Sequence, residues 1–298
     1  MFSVFLVNSS ALSQFLNTVT VNAAGSLNVC NFSVQQFACL PTVSRLNPQQ
    51  VADLLACSLS TNVTKDIWKL FFSKLGTQLD DALQRFTNTT QSPRNISLSS
   101  VMDVIVEVRI DRLSPQRLRD PAFVDTWMQG KLRPFLPSLS QGALSCLSTK
   151  NFSCESYRAI FMALNNNNTG PMGNPTQELI YTNFIRSFLT QRLNSGGDCT
   201  LPFNNSLDFI LQNFGVFSHF AQLQDYYNLS SSFSAVTLDA LSVLTPMQLN
   251  DLVFTPPARA GDRNEILRRV FDFLLQPSNR DKLINFLPSL QTQARPVT

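Results

Sequence analysis

The sequence predicts an all-α fold: one continuous array of stacked helical pairs over residues 1–298. Three observations predict it. A helix-start phrase recurs along the chain. Apolar residues fall at helical spacing through most of the remainder. The segments so marked run about 10–18 residues with short connections, the size of helices in repeat arrays.

The phrase is clearest at L-N-P-Q-Q-V-A-D-L-L, Leu46 to Leu55. Asn47 can cap, and Pro48 takes the first helical position, where a missing N–H costs nothing. Val51, Leu54 and Leu55 then share a face. The wording returns as L-S-P-Q-R-L-R-D from Leu113, with Ser114 and Pro115, and as L-T-P-M-Q-L-N-D-L-V from Leu244, with Thr245 and Pro246. The common pattern is Leu, cap, Pro, any residue, Gln or Arg, aliphatic, any residue, Asp. The three prolines lie 67 and 131 residues apart, so the second gap is close to twice the first. A shorter copy, N-P-T-Q-E-L-I from Asn174, falls inside that gap, which suggests a unit reused every ~60–70 residues.

Residues 1–29 are apolar without a firm period. A short helix over Val34–Leu40 leads to Pro41, and the Pro48 helix follows. Thr64 opens a long segment in which Ile67, Leu70, Phe71 and Leu75 fall at i, i+3, i+4 and i+8. Leu79, Leu83 and Phe86 carry the face on past Gly76. Asn88 to Asn95 reads as a polar loop. Val101 to Ile110, V-M-D-V-I-V-E-V-R-I, is rich in β-branched residues, which favours a strand. Its length, the Ser99/Ser100 cap and its neighbours favour a helix, and a lone strand would leave its backbone unpaired. Helix is the expectation.

From Asp120, Val124, Trp127 and Met128 share a face, and Leu132, Phe135 and Leu136 run up to Pro137. L-R-P-F-L-P-S-L at Leu132–Leu139 is echoed by L-I-N-F-L-P-S-L at Leu283–Leu290, each read as a helix end meeting a new start. Cys146 lies on the next helix, and Asn151-Phe-Ser-Cys154 opens another through Leu164. The Asn-rich loop near 165–175 is the best candidate for a sub-boundary. Leu179 to Leu189 is amphipathic, Leu207 to Leu223 reads as helix, and Asp262 caps a last strong helix carrying Ile266, Leu267, Val270, Phe273 and Leu274. The 24 Phe and many Leu are core material for such stacking.

Charged residues make up 14% of the chain and the net charge is +3, too small and scattered for nucleic acid or an anionic surface. The cationic run Arg109–Arg119 contains Asp111 and is flanked by Glu107 and Asp120, so it reads as a solvated helix face. Asn-x-Ser/Thr is over-represented. It occurs at Asn8, Asn31, Asn62, Asn88, Asn95, Asn151, Asn167, Asn204 and Asn228, roughly double what chance placement gives, which points to the secretory pathway and N-glycosylation. The six cysteines agree. Cys30, Cys39, Cys57, Cys146, Cys154 and Cys199 show no metal spacing, and their even number in a sequon-rich chain makes all six disulfide candidates, with fifteen pairings open. M-F-S-V-F-L-V is too short and lacks the basic start of a signal peptide. No stretch reaches ~18 apolar residues, so no transmembrane segment is expected. The polar C-terminus does not read as a lipid-anchor signal. A secreted or surface-bound protein with this sequence would be a piece of a longer precursor.

No catalytic chemistry is expected, and no cofactor or metal site. The sole histidine, His219, sits in F-S-H-F on an expected helix, where packing explains it better than a triad does. There is no phosphate loop, G-x-S-x-G, H-E-x-x-H or EF-hand loop. Asp80–Asp81 read as a solvated face, and a glycosidase-like acid pair assembled in three dimensions is the remote alternative.

The L-x-P-x-Q/R helix starts, the F-L-P-S-L breaks, the paired cysteines of C-L-S-T-K-N-F-S-C and the sequons together resemble the mesothelin, stereocilin and otoancorin superfamily. The best local match spans Phe123 to Leu164. The resemblance implies a right-handed superhelical solenoid of armadillo/HEAT-like repeats, stapled by disulfides. It implies an extracellular, surface-attached or matrix-deposited glycoprotein acting in cell–cell or cell–matrix adhesion by binding a protein or glycoprotein. No catalytic residue comes with it. The alternative function is an intracellular HEAT/armadillo-type interaction scaffold, with accidental sequons and reduced cysteines.

Overall fold

The computed structural model describes residues 29–39, 46–89, 98–166 and 172–293, and among them helix is the regular structure throughout, with no strand. The chain divides into two compact units, Met1–Thr176 and Gln177–Thr298. In the first lie α1 (Val34–Cys39), α2 (Pro48–Ser58), α3 (Lys65–Leu75), α4 (Gln78–Thr89), α5 (Ser99–Val108), α6 (Pro115–Leu118), α7 (Pro121–Asp125), α8 (Gln141–Ser148) and α9 (Cys154–Asn165). α10 (Asn174–Ile180) begins at the division. The second unit continues with α11 (Arg186–Asn194), α12 (Ser206–Phe214), α13 (Leu223–Leu229), α14 (Leu238–Val243), α15 (Pro246–Phe254), α16 (Arg263–Leu274) and α17 (Arg280–Gln293).

Each helix-start phrase does start a helix. Asn47, Ser114 and Thr245 cap α2, α6 and α15, each side chain accepting from the backbone N–H three residues on, at 2.9, 3.4 and 3.2 Å. The glutamine of the phrase has a job as well. Gln50 and Gln248 reach back to accept from the Asn47 and Thr245 N–H groups at 3.0 and 2.9 Å, closing reciprocal capping boxes. Arg117 has no acceptor to return, so α6 has half the box, and the Asp120–Pro121 pair that follows ends it after one turn.

Two expected long helices are broken. The segment from Thr64 divides at Gly76, with φ 56° and ψ −127°. The segment from Leu207 divides at Gly215, with φ 50° and ψ −131°, into α12 and a 3₁₀ turn, Gly215–Phe220. These angles lie where a Cβ is disfavoured, so glycine ends both helices. The observed α-helices accordingly run 4–14 residues, shorter than the sequence suggested. The F-L-P-S-L echo is also not a structural one. Arg133–Ser138 is a 3₁₀ turn, whereas Leu283–Leu290 lies inside α17 with Pro288 in the helix.

Val101–Val108 is helical, and its strand-like composition has a cause. Val101, Met102, Val104, Ile105, Val106 and Val108 are all buried because α5 packs on both α3 and α8. A helix covered on most sides loses its polar stripe and with it the helical period.

Within each unit most helices pack on the helix two places along. In the first, α1 packs on α3, α2 on α4, α3 on α5 and α7 on α9, whereas α5 reaches three places along to α8. In the second, α11 packs on α13, α12 on α14, α13 on α15, α14 on α16 and α15 on α17. Aromatic rings fill the seams. Phe86 stacks on Phe135 at 5.4 Å in the first unit. Phe209, Phe214, Tyr226 and Phe233 form one cluster with centroids 4.7–6.2 Å apart in the second.

Candidate functional site

The sequence singles out modification sites rather than a reaction centre. Asn31, Asn62, Asn88, Asn151, Asn204 and Asn228 all stand exposed. Local structure puts them there. Asn62 and Asn151 sit two residues before the N-caps of α3 and α9, Thr64 and Ser153, in the connections that lead into those helices. Asn88 and Asn228 lie in the last turns of α4 and α13, and Asn204 directly precedes the cap Asn205 of α12. Asn8, Asn95 and Asn167 lie outside the described residues.

Of the six cysteines, Cys30 and Cys57 are bonded, with Cα atoms 5.8 Å apart, tying the 3₁₀ turn Val29–Asn31 to the end of α2. Cys154 and Cys199 are also disulfide-bonded. Cys39 and Cys146 are free thiols, which corrects the expectation that all six pair. Cys39 is exposed at the end of α1. Cys146 is half-buried on α8 and its thiol faces the Asp111 carboxylate at 3.6 Å. Burial pushes the Cys146 thiol up, and the nearby Lys150 ammonium only partly offsets this.

Two further sequence expectations shift. Asp80 is not solvated: Arg109 donates to it at 2.8 Å and Lys131 lies 3.8 Å away, so it ties α4 to the end of α5 and to the π turn Thr126–Lys131. Asp81 is exposed as expected. The run Arg109–Arg119 therefore does not form one solvated face. Its first residue is part of this ion cluster and the rest crosses a 3₁₀ turn, two extended residues and α6. His219 is exposed in the 3₁₀ turn, with its ring 4.0 Å from that of Phe220.

One polar centre escaped the sequence entirely. Asp225 is 5% exposed. Tyr181 donates to its Oδ2 at 2.6 Å, Arg186 Nε meets its Oδ1 at 2.9 Å, and the Gln222 N–H donates at 3.2 Å. A π turn, Tyr181–Ile185, makes this possible. A wider helical turn places residues five apart on one side, so Tyr181 and Arg186 both reach the same carboxylate. Beside it, Gln248 Nε2 donates to the carbonyls of Ser218 and Ala221 at 2.9 and 2.7 Å, and Tyr226 donates to Ser218 O at 2.8 Å. These bonds tie α13 to the π turn and the start of α11 on one side and, through the shared Ser218 carbonyl, to α15 on the other, with only the Arg186 side chain among them reaching solvent, at 44% exposure.

Two open grooves stand outside the cores. In the first unit a groove of 280 Å³ is lined by Asp103, Glu107 and Asp111 of one α5 face and its continuation, with Lys65 and Cys146. Its acids are matched by lysines: Lys65 with Asp103 at 3.8 Å, Lys69 with Glu107, and Lys150 with Asp111. In the second unit a groove of 620 Å³ runs between the connections α11–α12 and α13–α14, with Arg259 at one side. Among the described residues no group of three or more His, Cys, Asp or Glu could hold a metal ion, and no helix is long and apolar enough to cross a membrane.

Comparison with protein-family models, with curated proteins and with solved structures found no match to this chain.

Proposed function

We propose that the chain is an extracellular, N-glycosylated helical-repeat protein that acts in cell–cell or cell–matrix adhesion by binding a protein or glycoprotein, as its resemblance to the mesothelin, stereocilin and otoancorin superfamily implies. The observation that carries this reading is the exposure of all six described sequon asparagines. An oligosaccharide cannot be accommodated in a packed core, so a modified asparagine must be exposed, as all six are. Disulfide-bonded cysteines add support, because such bonds persist in oxidising compartments. The packing of most helices on the one two places along supports a solenoid of stacked pairs, in which no single pair buries its apolar stripe alone. The reading gives no residue a catalytic role.

The test is secretion of the chain from a glycosylating host, followed by mass measurement before and after glycosidase treatment, and adhesion of cells or matrix glycoproteins to the coated protein. Several hexosamine-bearing asparagines together with saturable adhesion are expected. An unmodified mass sinks the reading. The free thiols Cys39 and Cys146 favour a second reading, an intracellular HEAT/armadillo-type scaffold, to which six free thiols without glycan would point.

A further inference from the structure

The 620 Å³ groove of the second unit is within the ~300–1,000 Å³ of clefts that take whole small ligands. Its two walls differ in character. One is the connection between α11 and α12, where Leu201, Pro202 and Phe203 offer apolar surface beyond the polar Asp198 and Thr200. The other is the end of α13 and the residues after it, where Asn228 and Ser230–Ser232 offer amide and hydroxyl groups. The first wall is fixed in place. Cys199 is buried and disulfide-bonded, the Leu201 N–H donates to the buried Asn213 at 2.8 Å, and the Phe203 ring lies 4.8 Å from that of Phe209. Yet Leu193 and Leu201 in this groove remain 40% and 38% exposed. Clustered apolar side chains in a rigid concavity mark a surface that something covers.

The sequence supplies the cover. Asn228 both lines the groove and heads the sequon Asn-Leu-Ser. Gln224 Nε2 donates to Asn228 Oδ1 at 2.7 Å, which fixes the amide and leaves Nδ2, the atom that glycosylation modifies, outside that bond. A pyranose has an apolar C–H face and a hydroxyl edge, and the groove is lined both by an apolar stretch, Leu201–Phe203, and by the hydroxyls of Ser230–Ser232. We propose that the groove is the bed of the N-glycan carried by Asn228, whose core sugars lie across Leu201, Pro202 and Phe203 with their hydroxyls toward Ser231 and Arg259. The proposal rests on the reading that the chain is N-glycosylated.

The test is native digestion of the secreted full chain with peptide-N-glycosidase, reading each released site over time by the asparagine-to-aspartate mass change. A glycan held in its bed must leave it before cleavage, so Asn228 is expected to be released about tenfold more slowly than Asn62 and Asn151, as for any site whose exposure needs a local opening. Denaturation removes the difference. Leu201→Ser, at an exposed position, and Phe203→Ala both bring the native Asn228 rate up toward that of Asn62. Equal native rates overturn the proposal, as does slow release that neither variant changes. An unmodified Asn228 beside glycans at Asn62 and Asn151 overturns it while leaving the proposed function standing. Absence of glycan at every sequon overturns both.

Discussion

A carboxylate as buried as Asp225 must have its oxygens engaged, and each of its partners can be tested singly. Tyr181→Phe removes one hydrogen bond to a charged acceptor, worth about 1.5–3 kcal/mol. Tyr226→Phe removes a bond to a neutral carbonyl, worth ~0.5–1.5 kcal/mol. Urea unfolding of the two variants is expected to rank them in that order, and equal losses would argue that the bond to the Asp225 carboxylate contributes no more than one to a neutral carbonyl. Burial first, and the bond to Asp225 second, push the Tyr181 hydroxyl above the usual phenol range. Its stabilisation is therefore complete below the ordinary phenol pKa of about 10 and is lost as pH rises through the higher folded value. The free thiols separate in the same way. Exposed Cys39 is expected to react with iodoacetamide in the native protein near pH 8, while half-buried Cys146, its pKa raised by burial, lags behind until the chain is denatured. Peptide mapping after timed alkylation checks this, and equal labelling would contradict the burial of α8. Sequence reading could reach the sequons, because their signal is local. It could not reach Asp225, which stands in L-Q-D-Y-Y-N like any helix acid. Tyr181 and Arg186 are five apart, a spacing that regular helical periodicity does not pair, and only the π turn brings them together.

At the scale of elements, the starts of helices were far more legible than their ends. A start is written in side chains: a cap, a proline and a returning glutamine. Removing the cap is expected to cost a definite amount. Thr245→Ala should destabilise by ~1 kcal/mol, since it opens the box with Gln248. Thr64→Ala, made in unglycosylated protein because Thr64 completes the Asn62 sequon, should cost less, since the Thr64 side chain makes no cap bond. An end can be written in one glycine whose backbone angles no periodicity reports. The apolar face of Leu75, Leu79 and Leu83 reads straight through Gly76, and only φ 56° with ψ −127° reveals the break. The nearly identical angles at Gly215 show the same device ending α12. A Cβ at Gly76 meets no atom within 4 Å, so Gly76→Ala isolates backbone strain from steric clash. It is expected to cost about 1–3 kcal/mol, and thermal unfolding that leaves Tm unchanged would mean the turn relaxes into another form.

At the scale of the molecule, what most limits the sequence argument is distance. Repeated phrases reveal units, but the packing of α1 on α3 or α13 on α15 depends on which faces meet, and a face is legible only where burial is one-sided, as it is not in α5. Covalent links are long-range too, and spacing alone left fifteen pairings open. The bond between Cys30 and Cys57 joins residues 27 apart. Closing such a loop lowers the entropy of the unfolded chain by an amount worth about 3–4 kcal/mol, so Cys30→Ser is expected to shift the urea midpoint markedly, and adding reductant to that variant should change it less than it changes the parent. The same framework yields a count that separates the two functional readings. Cys39 and Cys146 are free, while Cys30, Cys57, Cys154 and Cys199 are bonded. Thiol titration of the denatured, unreduced protein secreted from cells should therefore find the two free cysteines, and titration after reduction all six. Denaturation is essential, because the half-buried Cys146 would otherwise escape and imitate a lower count. If all six titrate without reduction in protein folded in an oxidising compartment, the bonded geometry does not form, and the extracellular adhesion reading loses its disulfide support. With that count met and the sequons occupied, an intracellular scaffold no longer accounts for the chain, since neither modification accumulates in a reducing cytosol.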